Sequence, residues 1–286
     1  MKKKIKKVKT LLEALPFIKK FSGKTIVIKY GGSAQVEKEL QESFAVDLVL
    51  LSMVGIRIVV VHGGGKQITQ LLEQLQIPTQ FEDGVRVTTE ESIRVVEMVL
   101  SGEINKGIVH NLNLHGAKAI GINGKDMHFM KGRSLKGYTG EITEIDGEFL
   151  NRLLREGLIP VIAPIAAGES PNHPGYNINA DTAAAKVAVA VGAERVLFLT
   201  DTPGVLDQDR ELIPTLTPRE VEELRREGVI QGGMVPKIEA ALYAVGNGVE
   251  KAHIIDGRVE HSILLELLTA DGIGTQIVGG EIGRGD

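Results

Sequence analysis

Two hydrophobic patterns alternate along the chain. Short runs rich in Val and Ile, with little polar alternation, occur at 24–30 (KTIVIKY), 56–62 (IRIVVVH), 117–124 (AKAIGING), 158–166 (LIPVIAPIA), 195–201 (RVLFLTD) and 251–256 (KAHIID). Runs of this kind predict strands covered on both faces, as in a parallel sheet. Between them, apolar residues at helical spacing predict helices over 37–54, 66–76, 90–114, 181–191, 217–227 and 237–247. Alternation of this kind over 286 residues argues for an open, mostly parallel sheet with helices on both sides, in which ligands gather at the carboxyl ends of strands. Residues 129–146, with short β-like pieces and glycines, predict an inserted hairpin. The Gly/Pro/Asn-rich stretch 166–181 reads either as a linker or as a functional loop leading into an alanine-rich helix. Ahead of the first strand, Ile5, Val8, Leu12 and Leu15 line one side of a lysine-rich helix, with Leu11 and Ile18 beside them and Pro16 placed to kink or end it.

Composition narrows the function. A formal net charge of −4 gives no basic face for nucleic acid. No apolar run approaches the ~20 residues of a membrane helix, and the lysine-interrupted N-terminus does not resemble a secretory signal, so a cytoplasmic location is expected. The chain has no cysteine, which excludes thiolate chemistry. Its histidines form no metal-binding spacing, and His253 and His261 read as structural or surface groups; no metal site on the protein itself is expected.

The chemistry sits where strands end. The first run closes on Lys29-Tyr30-Gly31-Gly32 and the second on His62-Gly63-Gly64-Gly65. Glycines after a strand let the backbone approach an anion, and a following helix presents free N–H groups. Neither junction fits the Walker A or dinucleotide pattern, and each alone could be a tight turn; together they predict one pocket. Arg86, Asn177, Asn179, Asp181, the turn at 199–206 and Lys237 could join it. Taken singly these have plain readings, Asp181 as a helix cap and Arg86 and Lys237 as surface charges. Their combination is what is unusual.

The segments IVIKYGGSA, VVVHGGGKQI, DGVRVTT, YNINADTAAAKVA, FLTDTPGVL and GGMVPKIEAAL, in this order from residue 26 to 242, resemble the amino acid kinase family. Within it they are most similar to members that phosphorylate N-acetyl-L-glutamate. The resemblance implies a three-layer αβα sandwich around an open, mainly parallel eight-stranded sheet, the carbamate kinase-like fold. It implies an N-terminal interaction helix (1–20), an amino-acid-substrate lobe (21–190) and an ATP-binding and effector lobe (191–286). The implied reaction is transfer of the γ-phosphoryl group of ATP, with Mg²⁺, to the γ-carboxylate of N-acetyl-L-glutamate, in arginine biosynthesis. A carboxylate with a pKa of about 4.3 is already ionised at pH 7, so no general base is required, and the obstacle is anion meeting anion.

On this resemblance Lys29 stabilises the transferring group, Lys237 the leaving oxygen, and Asp181 holds both lysines. Gly31 and Gly32 donate N–H groups to the phosphates. Gly64, Gly65, Arg86 and Asn177 bind the amino-acid substrate, with Asn179 a second candidate for that role. Asp201, Thr202, Pro203, Gly204, Val205 and Leu206, together with the backbone near Val229, Ile230 and Gln231, frame the nucleotide. The C-terminal run 248–277 and the N-terminal helix resemble those of arginine-inhibited members, implying a homohexamer built as a trimer of dimers and an arginine site at His253, Glu266 and Gly272. Without the resemblance, His253 reads as a packing residue and Glu266 as an exposed helix charge. The resemblance also admits a nitrogen-signalling protein as a regulator. Two alternatives stand beside it: a related kinase acting on carrier-bound aminoadipate, and a non-catalytic nucleotide- or arginine-binding relative.

Overall fold

The computed structural model describes residues 2–82 and 85–279; Asp83 and Gly84 of the DGVRVTT segment lie outside them. The chain opens with α1 (Lys2–Glu13) and α2 (Leu15–Phe21), separated at Ala14, with Pro16 in the first turn of α2. There its missing N–H costs nothing. It then runs β1 (Thr25–Tyr30), α3 (Lys38–Met53), β2 (Arg57–His62), α4 (Gly65–Gln74) and a two-strand ribbon, β3 (Gln80–Glu82) with β4 (Val85–Val87). Next come α5 (Glu90–Glu97), α6 (Asn105–Leu114), β5 (Ala119–Asn123), the hairpin β6 (Met130–Lys136) and β7 (Thr139–Ile145), α7 (Gly147–Arg155) and β8 (Ile159–Ala163). The short β9 (Ile165–Ala166) and β10 (Tyr176–Asn177) join the hairpin in a small four-stranded sheet. The remainder is α8 (Ala180–Ala190), β11 (Arg195–Thr200), β12 (Thr215–Leu216), α9 (Pro218–Arg226), α10 (Met234–Gly246), β13 (Lys251–Asp256), α11 (Ser262–Leu268) and β14 (Thr275–Val278).

Eight strands form the main sheet in the order β12-β14-β13-β11-β1-β2-β8-β5, parallel throughout except between β13 and β14. The all-buried β1 shows why its run lacks polar alternation. Val27, Val59, Val196 and Ile254 face one core layer, whereas Ile26, Ile28, Ile58, Val60 and Leu197 face the other. Each such side chain contributes roughly 1.5–3 kcal/mol on burial. The sheet thus sits between two helical layers, as expected from the αβα reading.

The strand order locates the site. From β1 the chain passes to β2, then to the edge strand β5 and back to β8 between them, before it crosses to β11 on the other flank of β1. This reversal is a topological switch point, and the crevice beyond the carboxyl ends of β1 and β11 is where such sheets bind ligands. Lys29 pairs in register with Phe198 and with Val61, and Tyr30 with His62, so both glycine junctions and the end of β11 emerge side by side.

Three features differ from the sequence reading. The helix expected over 90–114 is continuous in direction but widens into a π-helical turn at Met98–Ile104, around Gly102. Such turns insert one extra residue, and here Leu100 and Ile104 close over Gly64, where a Cβ would lie 2.3 Å from Ile104 Cδ1. Strands β12 and β14, of two and four residues, have no counterpart among the six predicted runs. The stretch 166–181 is no loose linker: Tyr176 and Asn177 are in the small sheet, and Ile178 donates its N–H to Pro164 O. Among the described residues no helix is long and apolar enough to cross a membrane.

Candidate active site

At the centre of the crevice lies a buried charge triplet. Lys29, the fifth residue of β1, places Nζ 3.1 Å from Asp181 Oδ1, and Lys237, in the first turn of α10, places Nζ 3.3 Å from Asp181 Oδ2. The first contact is an ion pair without hydrogen-bond alignment, whereas Lys237 donates to Oδ2 and to Gly233 O. Side-chain exposure is 6% for Asp181, 11% for Lys29 and 18% for Lys237. Burial pushes the Asp181 carboxyl up, but the two ammonium groups outweigh it and hold the carboxyl below its ordinary range. Asp181 is therefore a charged post between two cations that face the crevice.

The local sequence explains how the post stands. Asn179, not Asp181, is the N-cap of α8: its Oδ1 accepts from the N–H groups of Asp181 and Thr182. Asp181 is thereby freed from capping and sits in the first helical turn, where the helix dipole favours an anion. The plain readings of Asp181 as a cap and of Arg86 and Lys237 as surface charges do not hold; Arg86 is only 7% exposed.

Both glycine junctions surround the triplet. At Gly31 a Cβ would lie 2.9 Å from Lys29 Nζ, so a side chain there would displace the lysine head. Gly32 adopts φ +69°, and a Cβ on it would lie 2.6 Å from Asp201 Oδ1. That carboxylate instead accepts from Ser33 N–H at 2.7 Å, tying the first junction to the end of β11.

Beside this lies a pocket lined by Gly63, Gly64, Gly65, Arg86, Asn177 and Asn179, with Phe81, Val85, Leu100 and Pro164 as apolar walls. Arg86 stacks on Phe81, 4.6 Å from its ring centroid, and donates through Nη2 to Gly65 O and Thr69 Oγ1. Its Nη1 is buried and, among the described residues, has no hydrogen-bond partner, so the guanidinium keeps a donor unsatisfied at the wall of the pocket. Burial lowers the Arg86 pKa from an ordinary value far above neutrality, and guanidinium stays charged in proteins. Asn177 Nδ2 donates to Thr88 Oγ1 at 2.9 Å, which orients its amide.

The segments expected to frame the nucleotide divide in two. Asp201, Thr202 and Pro203 are exposed, whereas Val205 is buried, with its N–H donated to Thr275 Oγ1. Gly204 (φ +156°) lies against Thr275, where a Cβ would be 2.5 Å from Oγ1. Leu206 bridges to Leu212 and, like Val229, is half-buried, while Gln231 is exposed. Ile230 joins Val205 in the core layer that also contains Ile238 of α10.

His253, Glu266 and Gly272 converge elsewhere. Glu266 Oε1 lies 2.6 Å from His253 Nδ1, and Oε2 accepts from the N–H groups of Ile273 and Gly274. Gly272 has φ +64°, with its Cβ position 2.8 Å from Glu266 Oε2. Glu266 is a buried hub and not an exposed helix charge. Burial raises its pKa, but His253 and the two N–H groups hold it below the ordinary range. His253 Nε2 is buried and has no hydrogen-bond partner among the described residues.

Two site residues escaped sequence reading. Gln35 ends the 3₁₀ turn after Gly31, and its Nε2 donates to both Tyr30 O and Gly63 O. His62 is fully buried, and that burial pushes its pKa down to about 4. Nothing local marks their roles, because Gln35 reaches Gly63 O, and His62 reaches Asn105, only through the tertiary fold.

Comparison with known proteins gives concordant results. The model of the amino acid kinase family matches residues 24–256. The chain is 70% identical over 277 residues to an acetylglutamate kinase of Nautilia profundicola, covering 97% of this chain and 99% of the relative. It is 60% identical over 284 residues to one of Nitratiruptor sp., covering 98% and 100%. Among solved structures, N-acetylglutamate synthase from Neisseria gonorrhoeae, complexed with coenzyme A and N-acetyl-glutamate, matches with a TM-score of 0.86 at 28% identity. That match covers 96% of this chain and only 64% of the synthase, which extends beyond the shared part. Carbamate kinase from Giardia lamblia bound to AMP-PNP, at 16% identity and a TM-score of 0.67, shares the fold.

Proposed function

The chain belongs to the amino acid kinase family, and from that premise we propose that it phosphorylates the γ-carboxylate of N-acetyl-L-glutamate with ATP, yielding N-acetyl-L-glutamyl 5-phosphate and ADP. The observation that carries this reading is the buried Lys29–Asp181–Lys237 triplet beside a pocket whose Arg86 keeps one buried donor free. The names of the relatives at 60–70% identity support the choice of substrate.

The chemistry follows from charge. A γ-carboxylate oxygen attacks the γ-phosphorus, the bond from that phosphorus to the β,γ-bridging oxygen breaks, and the electron pair leaves on ADP. No proton moves, which suits a crevice without a nucleophile–base pair. Lys29 stabilises the equatorial oxygens of the transferring group and Lys237 the leaving oxygen, while Asp181 fixes both without touching phosphate. Arg86 grips the α-carboxylate of the substrate, and Asn177, with Asn179 as the second candidate, hydrogen-bonds it. Gly64 and Gly65 line that pocket, and Gly31 and Gly32 donate to phosphate. Asp201 to Leu206 and Val229 to Gln231 frame the nucleotide, with Val205 and Ile230 as core supports of that frame, since the Val205 N–H and carbonyl already bond Thr275 and Ile213. Magnesium would arrive on the nucleotide phosphates, with few or no protein carboxylates of its own, and would supply neutralisation of phosphate charge there.

In this reading residues 21–190 form the amino-acid lobe and 191–286 the nucleotide lobe. The test is ADP release from ATP with N-acetyl-L-glutamate, L-glutamate, L-aspartate or carbamate as acceptor. Turnover specific to N-acetyl-L-glutamate is expected; equal rates with free glutamate would remove the acyl-amino-acid assignment.

A regulatory reading accompanies it. The convergence of His253, Glu266 and Gly272 supports an arginine site. The exposed Val8, Leu11 and Leu12 on α1 support a helix (1–20) that docks on another subunit of a hexameric trimer of dimers. Arginine should inhibit the full chain and lose effect on a chain beginning near Ser22; equal sensitivity in both would exclude the helix from the mechanism.

A further inference from the structure

The two glycine junctions belong to different strands, and one side chain joins them. Gln35 Nε2 lies 3.1 Å from Tyr30 O and 3.2 Å from Gly63 O. Both partners are carbonyls, so the amide nitrogen must face them and both of its hydrogens are donated. The carboxamide is buried, where an unbonded amide would be costly. Its backbone is held in turn by Gln41, whose Nε2 donates to Gln35 O at 2.6 Å. The same carbonyls have one further donor each. Tyr30 O accepts from Gly63 N–H at 3.0 Å, and Gly63 O lies 3.0 Å from His62 Nδ1. Because a carbonyl only accepts, that contact places the His62 proton on Nδ1. Nε2 is then the acceptor for Asn105 Nδ2, 3.2 Å away, which also donates to Val161 O. Burial keeps His62 neutral, so this tautomer persists across the physiological range.

A trans peptide is planar, and its N–H points opposite to its C=O. Pinning the Tyr30 and Gly63 carbonyls toward Gln35 therefore turns the next N–H groups, those of Gly31 and Gly64, to the opposite side. We propose that Gln35, seconded by His62, is a positioning residue for phosphoryl transfer. Its carboxamide clamps the two junctions together and aims the Gly31 and Gly64 N–H groups as one anion cradle. The proposal rests on the phosphoryl-transfer reading above. It assigns Gln35 no contact with substrate; a glycine backbone is free to rotate, and the clamp supplies the order that glycine lacks.

The test uses the full chain and two substitutions. Gln35→Met keeps length and volume but removes both donors. It should lower kcat at least about tenfold, short of the 10²–10³ for outright loss of a transition-state donor, with KM for ATP and N-acetyl-L-glutamate within about threefold of wild type. Gln35→Glu sets a carboxylate against two carbonyls at pH 8 and regains one donor when protonated. Its kcat relative to wild type should climb several-fold between pH 8 and pH 5.5, which a packing role would not produce. Glycine-selective ¹⁵N spectra without substrate give an independent readout: the Gly31 and Gly64 amide resonances should move in Gln35→Met while that of Gly204 stays. Unmoved resonances, a kcat within twofold of wild type in Gln35→Met, or a pH-independent ratio in Gln35→Glu would overturn the clamp. If the wild-type chain does not turn over N-acetyl-L-glutamate, the substrate assignment fails, and the spectra still decide the clamp.

Discussion

Replacing Lys29 by Met separates two jobs that one ammonium performs. At 3.1 Å from Asp181, its Coulomb attraction is about 5 kcal/mol at an effective dielectric of 20, and Lys237 at 3.3 Å supplies about the same. Burying the carboxylate costs several kcal/mol, so breaking a buried pair typically destabilises by about 3–5 kcal/mol. With Lys237 still in place, the lower end, about 3 kcal/mol, is expected at pH 8. The sign with pH follows from Asp181. In the wild type its folded pKa is depressed, so its contribution is present above the unfolded value near 3.9 and is lost as pH falls through the folded pKa. In Lys29→Met the burial effect is no longer outweighed, the folded pKa rises, and stability is lost as pH climbs above about 4. Urea midpoints should therefore differ most at pH 8, with the gap narrowing as pH falls toward 4 and below. Adding Asp181→Asn to Lys29→Met should recover most of the stability at pH 8 but none of the 10²–10³-fold loss in kcat. A stability gap independent of pH, or a double variant that regains turnover, would refute the reasoning.

Other outcomes follow from the same geometry. Arg86→Ala removes the guanidinium with the free buried donor; KM for N-acetyl-L-glutamate should rise about 10- to 100-fold, as for loss of a charge-assisted pair, with KM for ATP unchanged in steady-state kinetics. Gly32→Ala forces an l-residue to φ +69° and a Cβ against Asp201; a loss of about 1–2 kcal/mol from the left-handed conformation alone should appear as a Tm lowered by several degrees. Asp47, in α3, pairs with His261 beside α11, and burial raises its pKa to about 6. The folded state therefore holds a proton between pH 4 and 6 that the unfolded chain has released, and stability falls with rising pH there, by on the order of 3 kcal/mol in total. Asp47→Asn should flatten that slope in urea titrations, and parallel curves would contradict it.

Much of this architecture was legible in the residues. The Val/Ile runs at 24–30, 56–62, 195–201 and 251–256 became β1, β2, β11 and β13 with little shift of boundary, because a strand buried on both faces has no other way to be written. Lys29 stood out for the same reason, as a charge closing an apolar run. Strands β12 and β14 left no such trace: two to four residues carry too little periodicity. The π turn at 98–104 was hidden because the packing it accompanies, Leu100 and Ile104 against Gly64, involves a distant segment. Partners across the fold were equally invisible. Asp181 looked like a cap until Asn179 took that place, and the roles of Gln35 and of Arg195, buried at the opposite end of β11 against Glu250, depend on neighbours 28 and 55 residues away.

The central claim is that the Lys29–Asp181–Lys237 crevice joins a phosphoryl group to a carboxylate. It is met most directly by trapping the product: the full chain incubated with ATP, Mg²⁺, N-acetyl-L-glutamate and hydroxylamine, with ADP and hydroxamate measured together. An acyl phosphate reacts with hydroxylamine, so one hydroxamate per ADP is expected, with both signals lowered together about 10²–10³-fold in Lys29→Met. ADP release without hydroxamate would mean that water, not the carboxylate, receives the phosphoryl group, and the account would be wrong.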